Sequence, residues 1–259
     1  MSALLDMSGV SKTFSSGGRR VVALDNVSVS LERGRTLGLV GPSGSGKSTL
    51  ARIILRLTEP DSGAISFAGS DLRTLSGGTL RTMRRRMQMV FQDPLAAFNP
   101  RATVGEAIAD PLRIHRIVDR AGRPRAVATL LERVGLPAAL AERSVRDVSG
   151  GQRQRVAIAR AIATNPDLIV LDEAVSALDV TVRGQVLELL VSLQRETGAA
   201  YVFVSHDLAV VRAISHEVAI IERGRIVESG PAGEVVSAPR SDAGKALVAA
   251  VPKLVTSRM

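Results

Sequence analysis

Gly41-Pro42-Ser43-Gly44-Ser45-Gly46-Lys47-Ser48-Thr49 decides the fold of this 259-residue chain. An apolar run, Thr36-Leu37-Gly38-Leu39-Val40, leads into it, and Leu50, Ile53, Ile54 and Leu57 leave it at helical spacing. Strand, glycine-rich loop and helix in that order, with G-x-x-x-x-G-K-[ST] in the loop, is the pattern of a phosphate-binding loop. Each residue type has a physical reason. Glycines let backbone N–H groups turn inward around a polyphosphate, where a side chain would block the approach. The following helix points its positive end at the same anion. Lys47 supplies a mobile charge for the terminal phosphates, and the Ser48 hydroxyl is placed to ligate Mg²⁺. The bland alternative is a glycine-rich turn holding a lysine by chance. It is weakened by scarcity, since only Lys12, Lys47, Lys245 and Lys253 among the 34 basic residues are lysine. The stretch predicts a bound nucleoside triphosphate.

Composition narrows the class. With 45% hydrophobic residues the chain can bury a substantial core. It has no cysteine, which excludes disulfides, thiolate metal sites and cysteine nucleophiles. No apolar run reaches the ~18–20 residues of a membrane-spanning helix, and Met1–Met7 lacks the pattern of a signal peptide. These features predict a cytoplasmic location. The net charge of +9 invites a nucleic-acid reading, but the arginines are spread along the chain and aromatics are only 2%, too few for base-stacking platforms. His115, His206 and His216 are too far apart in sequence to suggest a metal cluster.

Outward from the loop, residues 7–31 hold three short apolar stretches with a loop at 15–20, predicting antiparallel strands. Downstream, Ala64–Ala68 and Met87–Phe91 read as strands and 79–86 as a helix. Between 92 and 150 no strand pattern appears, and Pro94, Pro100, Pro111, Pro124 and Pro137 punctuate short helices. The α/β rhythm then resumes, with a helix at 152–164, the strand Leu168-Ile169-Val170-Leu171, a helix through Val186 and Leu193, and the strand Tyr201–Val204. A short helix at 207–214, a hairpin at 217–229 about Arg223-Gly224 and a helical tail at 231–250 complete the chain. Near-continuous apolar strands alternating with helices predict an α/β fold, a mostly parallel sheet covered on both faces.

The chemistry continues beyond the loop. Leu168–Leu171 runs into Asp172 and Glu173. An acid at a strand's carboxyl end is suited to hold Mg²⁺ through its water shell, and Glu173 beside it to polarise an attacking water. Ser149-Gly150-Gly151-Gln152 opens a helix and forms a second anion-binding end, which one nucleotide cannot occupy together with the first.

Ser149–Gln152, followed by Arg153–Arg160, resembles the signature of the ATP-binding-cassette (ABC) family. That resemblance implies several roles. Gln92 is similar to the glutamine that reaches Mg²⁺ and the water. Ser176-Ala177-Leu178-Asp179 is similar to the loop that crosses to the opposing subunit, and His206 to the switch histidine that senses the γ-phosphate. Phe14 stands roughly where the family stacks an aromatic ring on adenine. The implied cofactors are ATP and Mg²⁺, with Ser48, Gln92 and Asp172 at the metal. The implied architecture is a single cassette: a RecA-like core (1–91 and 151–230) with an N-terminal antiparallel β part, a helical subdomain inserted at about 92–150, and a helical tail at 231–259. Two positions depart from the common pattern, Val148 where Leu or Phe is usual and Ala174 where Pro is usual, and neither removes a catalytic group.

Phe91–Arg101, Thr103–Glu106, Ser176–Val180 and Ser205–Val211 resemble the peptide/nickel importer branch. The branch implies a peripheral subunit at the cytoplasmic face of the bacterial plasma membrane. Its partners would be a second ATPase subunit, identical or different, two transmembrane permeases and an extracytoplasmic solute-binding protein. Asp172–Val175 and Ser241–Lys245 are more similar to the nickel members than to the peptide members. The competing expectation is a non-transport ABC ATPase acting on nucleic acid or ribosomes, although the chain has no room for the long coiled coils or second cassette common there.

Overall fold

The computed structural model describes residues 3–16 and 18–249. The elements in order are β1 (Leu5–Ser16), β2 (Arg19–Leu31), β3 (Thr36–Val40), α1 (Lys47–Ile54), β4 (Ser62–Phe67), β5 (Ser70–Asp71), α2 (Gly77–Arg85), β6 (Met87–Val90), α3 (Pro94–Ala97), α4 (Val104–Ile114) and α5 (Arg123–Arg133). They continue with α6 (Gly150–Ile162), β7 (Leu168–Asp172), α7 (Val180–Thr197), β8 (Ala200–Ser205), α8 (Leu208–Ile214), β9 (Glu217–Glu222), β10 (Arg225–Pro231), α9 (Ala232–Ser237) and α10 (Asp242–Ala249).

Two sheets form. The larger has the order β10-β9-β3-β8-β7-β6 and is parallel except for the β9–β10 hairpin. The smaller, β2-β1-β4-β5, is antiparallel. The inner strands β3, β7, β8 and β9 are buried on both faces, and their alternation shows how. Leu168, Val170, Val202, Val204, Ala219 and Ile221 join one apolar cluster with α1 and the small sheet. Ile169, Leu171, Tyr201, Phe203, Val218 and Ile220 join the other, with α4 to α8. Period-2 geometry therefore splits each apolar run between two cores, and this is why the runs read as continuous rather than alternating. The Tyr201 hydroxyl, deep in the second core, donates to the Leu190 carbonyl, and burial pushes its ionisation well above the usual range.

Local chemistry sets the boundaries. Thr103 with Glu106 and Ser149 with Gln152 make reciprocal capping boxes that start α4 and α6. Asp179 and Asp207 cap α7 and α8. Gly198, at φ 67°, ends α7.

Several sequence expectations shift. The three apolar stretches of 7–31 are two long strands, because register slips between Met7, Val10, Lys12 and Thr13 interrupt the alternation. The expected loop at 15–20 is shorter, since strand pairing reaches Ser16 and resumes at Arg19; Gly17 lies outside the described residues. The signature helix starts at Gly150 rather than 152, as its cap sits at Ser149. β6 ends at Val90, so Gln92 stands two residues past the strand. The tail at 231–250 is two helices broken near Pro239, and residues 250–259 lie outside the described part. No helix among the described residues is long and apolar enough to cross a membrane.

Candidate functional site

The glycine loop is seated by neighbours distant in sequence. A Cβ on Gly41 would lie 2.1 Å from the Ile221 carbonyl oxygen, and one on Gly46 2.4 Å from that of Ala23. Gly46 also has φ 111°, a left-handed conformation that a side chain would strain. The loop is pinned from outside by the β9–β10 turn, where the Gly224 N–H donates to the Ser45 carbonyl at 2.9 Å. Beneath it, the Ser45 hydroxyl is buried without a partner among the described residues. No side chain caps α1 at Gly46, which leaves its first N–H groups facing outward for an anion.

Lys47 is buried, and its Nζ donates to the carbonyls of Gly41 and Pro42, each at 2.8 Å. Burial lowers its pKa, while the Glu173 and Asp172 carboxylates act in the opposite sense. The Ser48 Oγ donates to Asp172 Oδ1 at 3.1 Å. Burial raises the Asp172 pKa and the neighbouring Glu173 charge adds to this, against the Ser48 hydrogen bond and the charges of Arg52 and Lys47. A buried carboxylate held against a hydroxyl, with its charge disfavoured, is suited to a hard divalent cation that takes one protein carboxylate and completes its shell from phosphate and water.

Glu173 follows directly, at φ 48°, an uncommon conformation for a non-glycine residue and costly by ~1–3 kcal/mol. Its N–H donates to the Val204 carbonyl at 3.0 Å. Its Oε1 lies 3.5 Å from Nδ1 of His206, which stands just past β8.

A cleft of about 520 Å³ is lined by Phe14, Val21, Val22, Ala23, Gln92 and Glu173 together with Ser43, Gly44, Gly46, Lys47, Ser48 and Thr49, while Asp172 and His206 stand behind this lining, against Ser48 and Glu173. Gly41 and Pro42 contribute carbonyls to Lys47 from below. Phe14 is directly paired with Val21 across β1 and β2, and all three of Phe14, Val21 and Val22 are exposed, giving an apolar wall opposite the phosphate loop. Sequence reasoning missed Val21 to Ala23. Their apolar run reads as strand core, and only the pairing of Val21 with Phe14 brings them to the cleft.

Ser149, Gly150, Gly151, Gln152 and Asp179 are absent from the cleft lining. Ser149 Oγ accepts from the Gln152 N–H at 3.2 Å. A Cβ on Gly151 would lie 2.6 Å from Val182 on α7, so that glycine allows close packing between α6 and α7.

A parallel sheet whose inner strand runs into a glycine loop and helix, with an acid-ended strand two places away, defines the phosphate-loop class of nucleotide-binding folds. The family model described as ABC transporter matches residues 24–176. The glutathione import ATP-binding protein GsiA of Salmonella typhimurium is 53% identical over 93% of this chain, and its Escherichia coli K12 counterpart 51%. The chain spans 38% of the length of these relatives. An ATP-binding cassette solved as a dimer in a post-hydrolysis state with ADP and Pi superposes at a TM-score of 0.80, with 30% identity, over 88% of this chain and 98% of that one. The cbiO1 protein of Clostridium perfringens, part of the ABC transporter complex cbiONQ, gives 0.80 with 26% identity over 91% of both chains. The chain belongs to the ABC transporter family.

Proposed function

We propose that this chain is an ATP-hydrolysing subunit that powers an ABC importer, with Glu173 as the base that activates water. The observation that carries the reading is that Lys47, Ser48 and Glu173 line one cleft, with Asp172 hydrogen-bonded to Ser48 and His206 beside Glu173. In this reading the loop amides and the α1 N-terminus hold the phosphates, and Lys47 exchanges its two carbonyl partners for phosphate oxygens. Ser48 and Asp172, with Gln92 from the rim, would hold Mg²⁺, which when bound neutralises charge on the phosphates. Glu173 takes up the proton of the attacking water and His206 orients the groups around it. Phe14, with Val21 and Val22, receives the base.

Ser149–Gln152 and Asp179 then act in trans. They do not line the chain's own cleft, and Val180 beside Asp179 is 82% exposed, as suits a surface that meets a second cassette. The segment 92–150 serves as the helical subdomain beside a core of 1–91 and 151–230, and 231–259 as a tail. Permease subunits and a solute-binding protein complete the assembly, which places this subunit peripherally at the cytoplasmic face of the plasma membrane. For the solute, the relatives' names favour glutathione or another small peptide over the nickel suggested by Ala174 and the tail. They also favour import over a role on nucleic acid or ribosomes.

The test is Glu173→Gln. The variant is expected to bind ATP with near-normal affinity and to hydrolyse it ~10²–10⁴-fold more slowly. Near-normal turnover would sink the assignment.

A further inference from the structure

Arg183 lies outside the cleft, in the first turn of α7, and the reading above gives it no task. Its Nη1 donates to Asp207 Oδ2 at 3.1 Å and its Nη2 to the Leu178 carbonyl at 3.1 Å. Asp207 is fully engaged at its other oxygen, where Oδ1 accepts from the N–H groups of Ala209 and Val210 that start α8. The Asp207 N–H donates to Ser205 Oγ at 3.0 Å. Asp207 therefore cannot turn elsewhere without uncapping α8, and the Arg183 contact fixes the backbone on the C-terminal side of His206.

The remaining contacts close a ring. The Ser176 N–H and hydroxyl both donate to the Glu173 carbonyl. The turn that follows ends at Leu178, which Arg183 holds. From Asp207 the chain steps back to His206, whose Nδ1 returns to Glu173 Oε1 at 3.5 Å. Among the described residues, Arg183 makes the side-chain hydrogen bonds that bridge the 176–179 turn to the 205–207 segment.

We propose that Arg183 is a positioning residue for hydrolysis, holding His206 against Glu173 and tying that placement to the turn that carries Asp179. The inference rests on the reading of Glu173 as the base. A planar guanidinium grips two acceptors in a fixed fork, whereas a lysine ammonium at that site satisfies one of them at a time. Slack of about 1 Å at a reacting group costs ~10²-fold in rate, so the bridge matters to turnover more than to stability.

The test measures steady-state ATP hydrolysis by the full chain, with KM for ATP and the thermal midpoint. Arg183→Ala is expected to lower kcat by about tenfold to a hundredfold, with KM changed less than about twofold and Arg183→Lys recovering part of the loss. Arg133→Ala serves as control, because it breaks the 2.9 Å pair with Glu196, and Arg133 has the same 27% side-chain exposure as Arg183. It should leave kcat at the wild-type level. If Arg183→Ala does not fold, Arg183→Lys and Asp207→Asn carry the test, each with a reduced kcat expected. Wild-type kcat in folded Arg183 variants would overturn the inference alone, as would a loss confined to KM. A wild-type chain that hydrolyses no ATP would overturn the proposed function and this inference with it.

Discussion

Replacing Asp172 with Asn is expected to stabilise the nucleotide-free chain while removing its response to MgATP. The side chain is 6% exposed, and burial, reinforced by Glu173, raises its pKa in the fold. A carboxyl group whose folded-state pKa is raised costs stability above that pKa, and the cost disappears as pH falls through it. Asn has nearly the same shape and keeps an acceptor for the Ser48 hydroxyl, so relief of the buried charge outweighs lost contacts. Relief of this kind amounts to about 1 kcal/mol. Unfolding entropy of about 2.1 cal/mol/K per residue makes that about 2 °C in Tm for a chain of this length. In wild type, MgATP at about 100 times its Kd contributes about 2.7 kcal/mol, near 5 °C. The chain has no tryptophan and one tyrosine, so calorimetry is a better assay than intrinsic fluorescence. At pH 7.5 the variant should melt higher than wild type without nucleotide and lower with MgATP. The nucleotide-free gap should close as the pH is lowered. A variant that melts lower than wild type without nucleotide, or keeps the MgATP shift, would refute the reasoning.

Phe14→Ala should weaken ATP binding by about 1 kcal/mol, or about fivefold, with kcat at saturation retained; an unchanged Kd by titration calorimetry would remove Phe14 from the base site. Gly46→Ala, at φ 111° and with a Cβ 2.4 Å from the Ala23 carbonyl, should abolish nucleotide binding. Gly44→Ala, strained at φ 77° but with open space around its Cβ, should cost only ~1–2 kcal/mol, and equal binding by the two variants would contradict this account of the loop. At Asp167, burial raises the carboxyl pKa, but the hydrogen bonds and charges of Arg33 and Arg86 outweigh it and the net shift is downward. The stability it contributes is therefore present above the ordinary value of 3.8 and lost as pH falls through the lower folded value. Asp167→Asn should melt about 2 °C lower at pH 7, and a gap that closes already at pH 5 would count against the ion pairs.

Contiguous chemistry was legible in the sequence. The phosphate loop, the acids at the end of β7 and the glycines opening α6 each sit within a few residues, so each shows as a short motif even though distant neighbours seat the loop's glycines. What was hidden depends on pairing between distant segments. Val21 and Val22 look like buried strand residues until β1 places Phe14 beside them. The register slips near Gly9 made two long strands read as three short ones. Glu173 gives no sequence sign of its left-handed backbone, because that conformation is imposed by the Val204 carbonyl that its N–H meets. Arg183 reads as an ordinary first-turn arginine, because Asp207 becomes its neighbour only when β7 and β8 lie side by side.

The seat of the phosphate loop has a consequence for how the chain is made. β3 lies between β8 and β9, and Gly224 grips Ser45 from the turn beyond β9. At synthesis rates of about 5–20 residues per second, roughly 10–40 s pass between the emergence of Ser45 and that of Gly224. For most of that interval the nascent chain carries β3 without β8 or β9 beside it, and the phosphate loop without the Gly224 contact. Every product truncated before Gly224 lacks the grip on Ser45. The complete seat of the phosphate loop therefore forms only after the β9–β10 turn has been made.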